Sequence, residues 1–241
     1  MEISKNIEII DLALYLKKHK ALIIADLHIG YEEELRKKGI LVPRFQFKDT
    51  FNMLSKILNK TKPKLIIVNG DLKHEFGTIS EQEWRETLKI LDLLTEHGKV
   101  ILIRGNHDNI LGPIARKRNV EIKEHYKIND VLILHGNKIP DNKLLKDIKT
   151  IVIGHEHPAV SLRDKTRAEK FKCFLKGKWK RKTLIVMPSF ITATEGTDIL
   201  NEGQDILKKK LISPFLTNIN NFEIFIVEDK VYRFGKVRSI K

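Results

Sequence analysis

Residues 100–108 read VILIRGNHD, an apolar run that ends in a glycine and three side chains able to bind metal. Short runs rich in β-branched residues and bounded by glycine are typical of buried strands. In open α/β sheets, sites form beyond the carboxyl ends of the strands. The stretch therefore predicts a buried strand that delivers Asn106, His107 and Asp108 to a site.

Four more runs follow the same pattern: ALIIADLH at 21–28, LIIVNGD at 65–71, VLILHG at 131–136 and IVIGHEH at 151–157. Five strands that each deliver an Asp, Asn or His at one end predict a polynuclear metal site. Carboxylate, amide and imidazole together suit Mn²⁺, Fe, Co²⁺ or Zn²⁺ better than a purely oxygen-seeking ion. The candidates include no cysteine, which argues against a structural zinc site.

The spacing of residues within two of these motifs predicts where their side chains point. Asp26 and His28 are two residues apart, so an extended backbone would direct both side chains to one side, and His155 and His157 repeat this.

The length of 241 residues allows one large α/β domain, and we expect a single domain over 1–241 because the ligand-bearing runs cannot be divided between independent cores. No apolar stretch approaches 18 residues, so no membrane span is expected. The amino terminus does not resemble a secretory signal. The single cysteine, Cys173, cannot form an intrachain disulfide, which fits a reducing cytoplasm.

Local patterns predict several elements. Residues 7–16 look like a strand or hairpin arm, and a helix is expected from about Arg44 to Asn59 after Pro43. Ser80 to Glu83 has the form of a capping box that opens a second helix, whose buried face would run through Trp84, Leu88, Leu91 and Thr95, with Gly98 as a left-handed cap. Beyond residue 121 the strands follow one another closely, which suggests a second, more antiparallel sheet.

The net charge is +14, and residues 161–182 contain ten Lys and Arg against two acids. We expect this basic insert to project as a hairpin or loop between Val160 and Leu184. An excess of positive charge attracts nucleic acid, although a lysine-rich proteome, such as that of a thermophile, also explains it. Phe171, Phe174 and Trp179 can offer stacking surfaces for single strands or pack inward. The candidate nucleic-acid contacts are Lys172, Lys178, Trp179, Lys180 and Arg181.

Together the five motifs resemble the calcineurin-like metallophosphoesterases, whose pattern is Asp-x-His, Gly-Asp, Gly-Asn-His-Asp, His and Gly-His-x-His. The resemblance implies a four-layer αββα sandwich of two mixed β-sheets flanked by helices, and two divalent metal ions. Mn²⁺ is the first expectation, with Fe, Zn, Co or Ni as alternatives. Matching the motifs puts Asp26, His28 and His157 on one ion, Asn106, His135 and His155 on the other, and Asp71 between them.

The same resemblance implies a reaction in which a metal-bridging hydroxide attacks phosphorus. His107 would contact the leaving oxygen, and Asp108 would orient the His107 imidazole. His74, three residues after Asp71, is similar to a histidine of the SbcD-type DNA repair nucleases. It would position the scissile phosphate or the leaving group, and the alternative is an exposed loop histidine.

The chain has no room for the DNA-binding cap domain of those nucleases. It is more similar to the smaller SbcD-related, ligase-associated (ICC-like) phosphoesterases of archaea and bacteria, through GHEHP at 154–158, KCFL at 172–175 and PSF at 188–190. This implies phosphodiester cleavage, with single-stranded DNA and repair as the setting. Two alternatives stay open: a phosphodiesterase or phosphatase for small nucleotides, and a nucleic-acid-binding scaffold with a non-catalytic metal site. A DNA ligase, helicase or ATPase is the candidate partner, and the oligomeric state is left open.

Overall fold

A computed structural model of the chain describes residues 1–42, 45–75, 77, 79–163, 167–202 and 213–240. The chain divides into two compact units. The first comprises Met1–Glu124 with Phe190–Thr194, and the second comprises His125–Ser189 with Glu195–Lys241. The expectation of a single domain stays a prediction.

Among the described residues, a seven-stranded mixed sheet forms the first unit. Its strands lie in chain order: β1 Glu2–Ser4, β2 Ile7–Ile10, β3 Ala13–Leu16, β4 Ala21–Ile24, β5 Leu65–Asn69, β6 Lys99–Ile103 and β7 Glu121–Lys123. Strands β1 to β4 are antiparallel neighbours, and β4 to β7 are parallel. The first four need only tight turns, whereas parallel neighbours need longer crossovers. Residues 7–16, which were predicted as a strand or hairpin arm, form both arms of a hairpin, β2 and β3.

Helices form the crossovers of this unit: α1 Tyr31–Lys37, α2 Gln46–Thr61, α3 Glu81–His97 and α4 Gly112–Lys117, with a 3₁₀ helix at Lys17–His19. The helix expected from about Arg44 is confirmed as α2, although Pro43 and Arg44 lie outside the described residues. Leu54 and Leu58 of α2 are fully buried, as their helical spacing predicts.

Helix α3 begins where the capping box was predicted, but only half of the box forms. The Ser80 hydroxyl accepts a hydrogen bond from Glu83 N at 3.1 Å. The Glu83 side chain is 1 % exposed and accepts instead from the backbone N–H groups of His74 and Glu75, at 2.9 and 3.0 Å. Glu83 therefore anchors the loop that follows β5.

The predicted face and cap of α3 need correction. The buried stripe runs through Glu83, Thr87, Ile90, Leu91 and Leu94, and Thr95 is exposed. Because the Glu83 side chain is buried, the buried stripe begins at residue 83, one position before the predicted apolar face, which began at Trp84. Gly98 is extended, with φ 170°, and not left-handed. Glycine is favoured at position 98 because the backbone of Pro63 lies close: a Cβ there would be 2.9 Å from the Pro63 carbonyl oxygen.

The second unit contains a second mixed sheet. Its described strands are β8 His125–Ile128, β9 Val131–Leu134, β10 Thr150–Ile153, β11 Pro158–Arg163, β12 Ala168–Trp179, β13 Lys182–Val186, β14 Thr197–Asp198, β15 Glu223–Val227 and β16 Val231–Lys236. The main path is β14-β11-β12-β13-β10-β9-β8, with β15 on β12 and β16 on β15. The pairs β9–β10, β10–β13 and β11–β14 are parallel. Helix α5 Ile199–Glu202 and a 3₁₀ helix at Val237–Ser239 complete the described elements.

The basic insert is part of this sheet and not a projecting loop. Three odd-numbered residues of β12, Cys173, Leu175 and Trp179, belong to the core of the second unit. Alternation along a strand puts the even-numbered lysines on the opposite face, so the segment is an amphipathic strand. The expected hairpin forms, because β12 pairs antiparallel with both β11 and β13. The insert does not project as a whole, because Cys173, Phe174, Leu175 and Trp179 are buried; residues 164–166 lie outside the described part.

These units confirm the predicted α/β class with two mixed sheets and flanking helices. In the described ranges, no helix has the length and apolar character needed to cross a membrane.

Candidate metal centre

Three predicted ligand motifs of the first unit meet at one edge of its sheet. Strands β4, β5 and β6 are parallel neighbours, so the residues after their carboxyl ends lie side by side. The backbone ladder continues past the strands, because Asp26 N donates to the Gly70 carbonyl at 3.2 Å and His28 N to the Asp71 carbonyl at 2.9 Å. Asp26 and Asp71 are thereby held together although 45 positions separate them.

The backbone around these ligands is left-handed and not extended. The φ angles are +54° at Asp26, +44° at His28 and +43° at Asp71. In the second unit, His155 and His157 have φ +69° and +48°. The extended backbone that we expected for Asp26 and His28, and for His155 and His157, is therefore wrong. Positive φ costs a non-glycine residue about 1 kcal/mol or more and is concentrated at functional sites.

Gly105 allows the loop after β6 to touch the Asp71 carboxylate. A Cβ on Gly105 would overlap Asp71 Oδ1 and lie 2.7 Å from Asp71 Cγ. The same loop also binds the carboxylate, because His107 N donates a hydrogen bond to Asp71 Oδ1 at 2.8 Å. Glycine is required here by contact and not by a left-handed φ.

The carboxylates of the first unit are buried together. Asp26 is 0 % and Asp71 is 2 % exposed. Burial, together with the negative charges of Asp26 and Asp108, raises the pKa of Asp71 to about 9. Buried carboxylates are costly unless cations compensate them. This donor set fits divalent metal ions, which would keep Asp71 ionised.

Lys73 is a residue that the sequence analysis missed. Its side chain is 0 % exposed, and its Nζ donates to the His107 carbonyl at 2.7 Å and to the Glu75 carbonyl. Its charge lowers the pKa of both Asp71 and Asp108. Lysine is almost never fully buried without such partners, but nothing local in the sequence distinguishes this one.

Asp108 anchors a loop. Its Oδ2 accepts from Gly105 N at 2.9 Å, and burial raises its pKa to about 6. His107 Nδ1 lies 2.6 Å from the His74 carbonyl oxygen. That carbonyl therefore takes the orienting role that the sequence analysis gave to Asp108.

Three histidines of the first unit, His28, His74 and His107, form a cluster whose ligand atoms all lie within 4.8 Å of one another. His28 Nδ1 is 3.0 Å from His74 Nδ1, and His28 Nε2 is 3.6 Å from Asp71 Oδ2. His74 Nε2 contacts the carboxylate of Glu34, another residue that the sequence analysis missed. Burial lowers the pKa of His74, against the opposing effect of Glu34. Both ring nitrogens of His74 have protein partners, which does not support its expected role on the scissile phosphate.

The second unit brings two predicted ligands together. His135 and His155 follow the parallel neighbours β9 and β10, and His155 Nδ1 lies 3.0 Å from His135 Nε2. His157 is held neutral, because burial and the nearby charge of Lys172 lower its pKa to about 4. Neutral imidazole is the form that binds metal.

The basic-insert residues have mixed placements. Lys172 Nζ donates to Ser189 Oγ at 2.9 Å, and Lys178 Nζ donates to Thr183 Oγ1 at 3.2 Å. Lys180 and Arg181 form the exposed two-residue turn between β12 and β13.

Trp179 does not suit its predicted role. It is 6 % exposed and packs against Phe215 with ring centroids 4.8 Å apart, and Phe174 is 0 % exposed. The rings of Trp179 and Phe174 pack inward and cannot stack on bases. This agrees with the alternative expectation, in which the aromatic side chains of the insert pack inward.

The chain is similar to known proteins in sequence and fold. A family model described as calcineurin-like phosphoesterase matches residues 19–185. The Pseudomonas putida nuclease MPE has 21 % identity and a TM-score of 0.65, over 93 % of this chain and 92 % of that one. The E. coli phosphoesterase YfcE has 12 % identity and a TM-score of 0.39, over 92 % and 94 %. No curated protein matches the chain significantly. At these identities the solved structures bear on the fold alone.

Proposed function

The chain belongs to the calcineurin-like phosphoesterase family and is a phosphoesterase hydrolase, and on that premise we propose that it cleaves phosphodiester bonds in nucleic acid. Single-stranded DNA in a repair setting is the proposed substrate. One observation carries the proposal: buried Asp26 and Asp71 lie on adjacent strand ends, and the His107 loop is bonded directly to Asp71.

The proposed ligands of two divalent ions are the seven side chains that match the family pattern: Asp26, His28, Asp71, Asn106, His135, His155 and His157. The buried carboxylates of the first unit and the neutral His157 imidazole of the second fit this role. A bound pair of ions would supply Lewis acidity and a nucleophile from water at neutral pH. The mixed N/O donors support Mn²⁺ as the ion to test first.

His107 is the proposed group at the leaving oxygen. A carbonyl only accepts, so the contact of His107 Nδ1 with the His74 carbonyl puts one proton on Nδ1. A second proton on Nε2 gives an imidazolium, which can protonate or stabilise the departing alkoxide. The hydrogen bond of His107 N to Asp71 fixes this loop relative to the carboxylates.

A row of lysines supports a polyanionic substrate. On the face of β12 opposite the core, Lys170 and Lys172 form one pair and Lys176 and Lys178 form another, with about 6.8 Å between alternate positions. Phe174, which is 0 % exposed, lies between the two pairs. A linear row of cations suits a phosphate backbone better than a compact nucleotide. Lys172 is near enough to lower the pKa of His157, a proposed ligand. We keep the lysines in the proposal and drop Trp179.

The turn after β12 adds two exposed charges at a conformational cost. Lys180 and Arg181 have φ +44° and +65°, the left-handed pair that hairpin turns usually fill with Asn-Gly. Retaining Lys-Arg there supports a role for the charges. The nuclease from Pseudomonas putida shares this fold, and we extend nuclease activity to this chain as a proposal.

The test is a substrate panel. Purified protein with Mn²⁺ would receive a small generic diester, a cyclic nucleotide, a phosphomonoester, and labelled single- and double-stranded DNA. We expect diester and single-strand cleavage that Asp71→Asn abolishes. Turnover of the monoester or the cyclic nucleotide alone would favour a small-nucleotide enzyme. DNA binding without any hydrolysis would favour a scaffold.

The lysine row is tested separately. Lys178→Gln with Arg181→Gln should weaken DNA cleavage and its salt dependence while sparing the small diester. Lys127→Gln with Lys146→Gln, two exposed lysines of the same unit, is the matched control. Equal effects of the two pairs would reject the β12 surface as the DNA contact. Recruitment to a ligase, helicase or ATPase stays a prediction.

A further inference from the structure

Glu34, His74 and His28 form a continuous chain of polar contacts in the first unit. Glu34 Oε2 contacts His74 Nε2, and His74 Nδ1 is 3.0 Å from His28 Nδ1. The remaining nitrogen, His28 Nε2, faces Asp71 Oδ2 at 3.6 Å. Neither Glu34 nor its link to His28 follows from the motifs of the sequence.

The position of Glu34 on α1 is well defined. Tyr31 and Glu34 are three residues apart, so they share a helix face. The Tyr31 ring meets the His74 ring edge-on, with centroids 4.9 Å apart and an interplanar angle of 89°. On the other side, Glu83 holds the backbone N–H of His74 at 2.9 Å. The His74 ring is thus fixed by packing, by its backbone and by the Glu34 carboxylate.

When His28 is neutral, the form that binds metal, the contacts allow two proton arrangements. An ionised carboxylate only accepts, so His74 Nε2 carries a proton. If His74 Nδ1 accepts, then His28 Nδ1 carries a proton and His28 Nε2 has a lone pair for a cation. If His74 Nδ1 donates instead, then His28 is protonated on Nε2 and cannot bind a cation through it.

We infer that Glu34 and His74 are positioning residues that hold His28 as the Nδ1–H tautomer, so that its Nε2 is presented to a divalent cation. This rests on the proposed function, which makes His28 a ligand. Partners behind a ligating histidine fix its tautomer and raise its basicity, and their loss typically costs about 10–100-fold in metal affinity. His74 is then occupied at both nitrogens, and His107 alone is left to act on the leaving oxygen.

The first test reads protons directly. Protein with ¹⁵N-labelled histidine and bound Zn²⁺, a diamagnetic ion, would be studied by long-range ¹H–¹⁵N correlation. We expect N–H signatures at His74 Nε2 and His28 Nδ1, and a zinc shift at His28 Nε2. A doubly protonated His74, or one protonated on Nδ1, would overturn the inference.

The second test uses matched variants and Mn²⁺ titration calorimetry. Glu34→Leu should mix the His74 tautomers and weaken Mn²⁺ binding by about tenfold, while Glu34→Gln keeps an acceptor and should restore most of both. Lys38→Met is the control, because Lys38 is the other partner of Glu34, and it should change neither. Wild-type tautomers and affinity in Glu34→Leu would refute the inference.

These outcomes separate the inference from the proposed function, because neither measurement uses a substrate. The expected tautomers without any diester hydrolysis would reject the phosphodiesterase proposal alone. Zinc binding at His28 with the wrong His74 tautomer would reject the positioning role alone. No zinc shift at His28 would reject both.

Discussion

Replacing Gly105 by alanine should disable the carboxylate site of the first unit while leaving the chain folded. The new Cβ would lie 2.7 Å from Asp71 Cγ, whereas carbon atoms in contact are about 3.5–4.0 Å apart. The Cβ would also overlap the Asp71 backbone nitrogen, so a side-chain movement alone cannot relieve the clash. The loop after β6 must therefore move by about 1 Å relative to Asp71, which would break the 2.8 Å hydrogen bond from His107 N to Asp71 Oδ1. A misplacement of this size at a reacting site costs about 100-fold, which corresponds to about 2.7 kcal/mol of activation free energy.

The assay is kcat/KM for a small diester with Mn²⁺, together with Mn²⁺ affinity and the thermal unfolding midpoint. Gly112→Ala is the matched control in the same unit, because a Cβ there would meet only Arg116 Nη1, at 3.4 Å, at the end of a flexible side chain. We expect Gly112→Ala to behave as wild type. If Gly105→Ala retained wild-type affinity and turnover, the close approach of the two loops would not be what positions Asp71.

Four further predictions concern other parts of the chain. Mn²⁺ binding at pH 7 should release about one proton from Asp71, whose pKa burial raises to about 9; calorimetry in buffers of different ionisation enthalpy should show it, and Asp71→Asn should not. For the metal-free protein, native Asp71 keeps a proton that the unfolded chain loses near pH 4, so this group's contribution to the free energy of unfolding should fall as pH rises from about 4 to 9. Lys73→Met should lower the free energy of urea unfolding by about 1–3 kcal/mol, because two part-buried hydrogen bonds of about 0.5–1.5 kcal/mol each are lost, whereas exposed Lys138→Met should have little effect. Lys180→Asn with Arg181→Gly should raise the free energy of unfolding by about 1 kcal/mol, because Asn-Gly suits the left-handed turn. The same variant should bind DNA more weakly in a filter assay at several salt concentrations. A stability gain with unchanged DNA binding would argue that the charges of the turn do not contact the substrate.

The strands and the ligand motifs could be predicted because their signals are local. An apolar run that ends in glycine and a polar residue specifies both a buried strand and what lies at its end, and β4, β5, β6, β9 and β10 all formed there. Parallel pairing then brought Asp26 next to the Gly70-Asp71 loop without any further information.

The supporting residues could not be predicted because their partners lie elsewhere in the chain. Glu34 and His74 are 40 positions apart, and Lys73 reaches a carbonyl 34 positions away. In the sequence, Glu34 and Lys73 look like ordinary charged residues. Trp179 shows the converse: it stands among lysines, but strand alternation turns its ring into the core.

The continuation of the β4–β5 ladder beyond both strands has a thermodynamic consequence. The amides of Asp26, His28 and Ile29 all bond to the loop after β5, and His74 N returns a bond to the Ile29 carbonyl. Segments without regular secondary structure usually lose considerable conformational entropy when they close around a bound ion. Here that loss has occurred on folding, so cation capture by these side chains should be fast and accompanied by little ordering of the main chain.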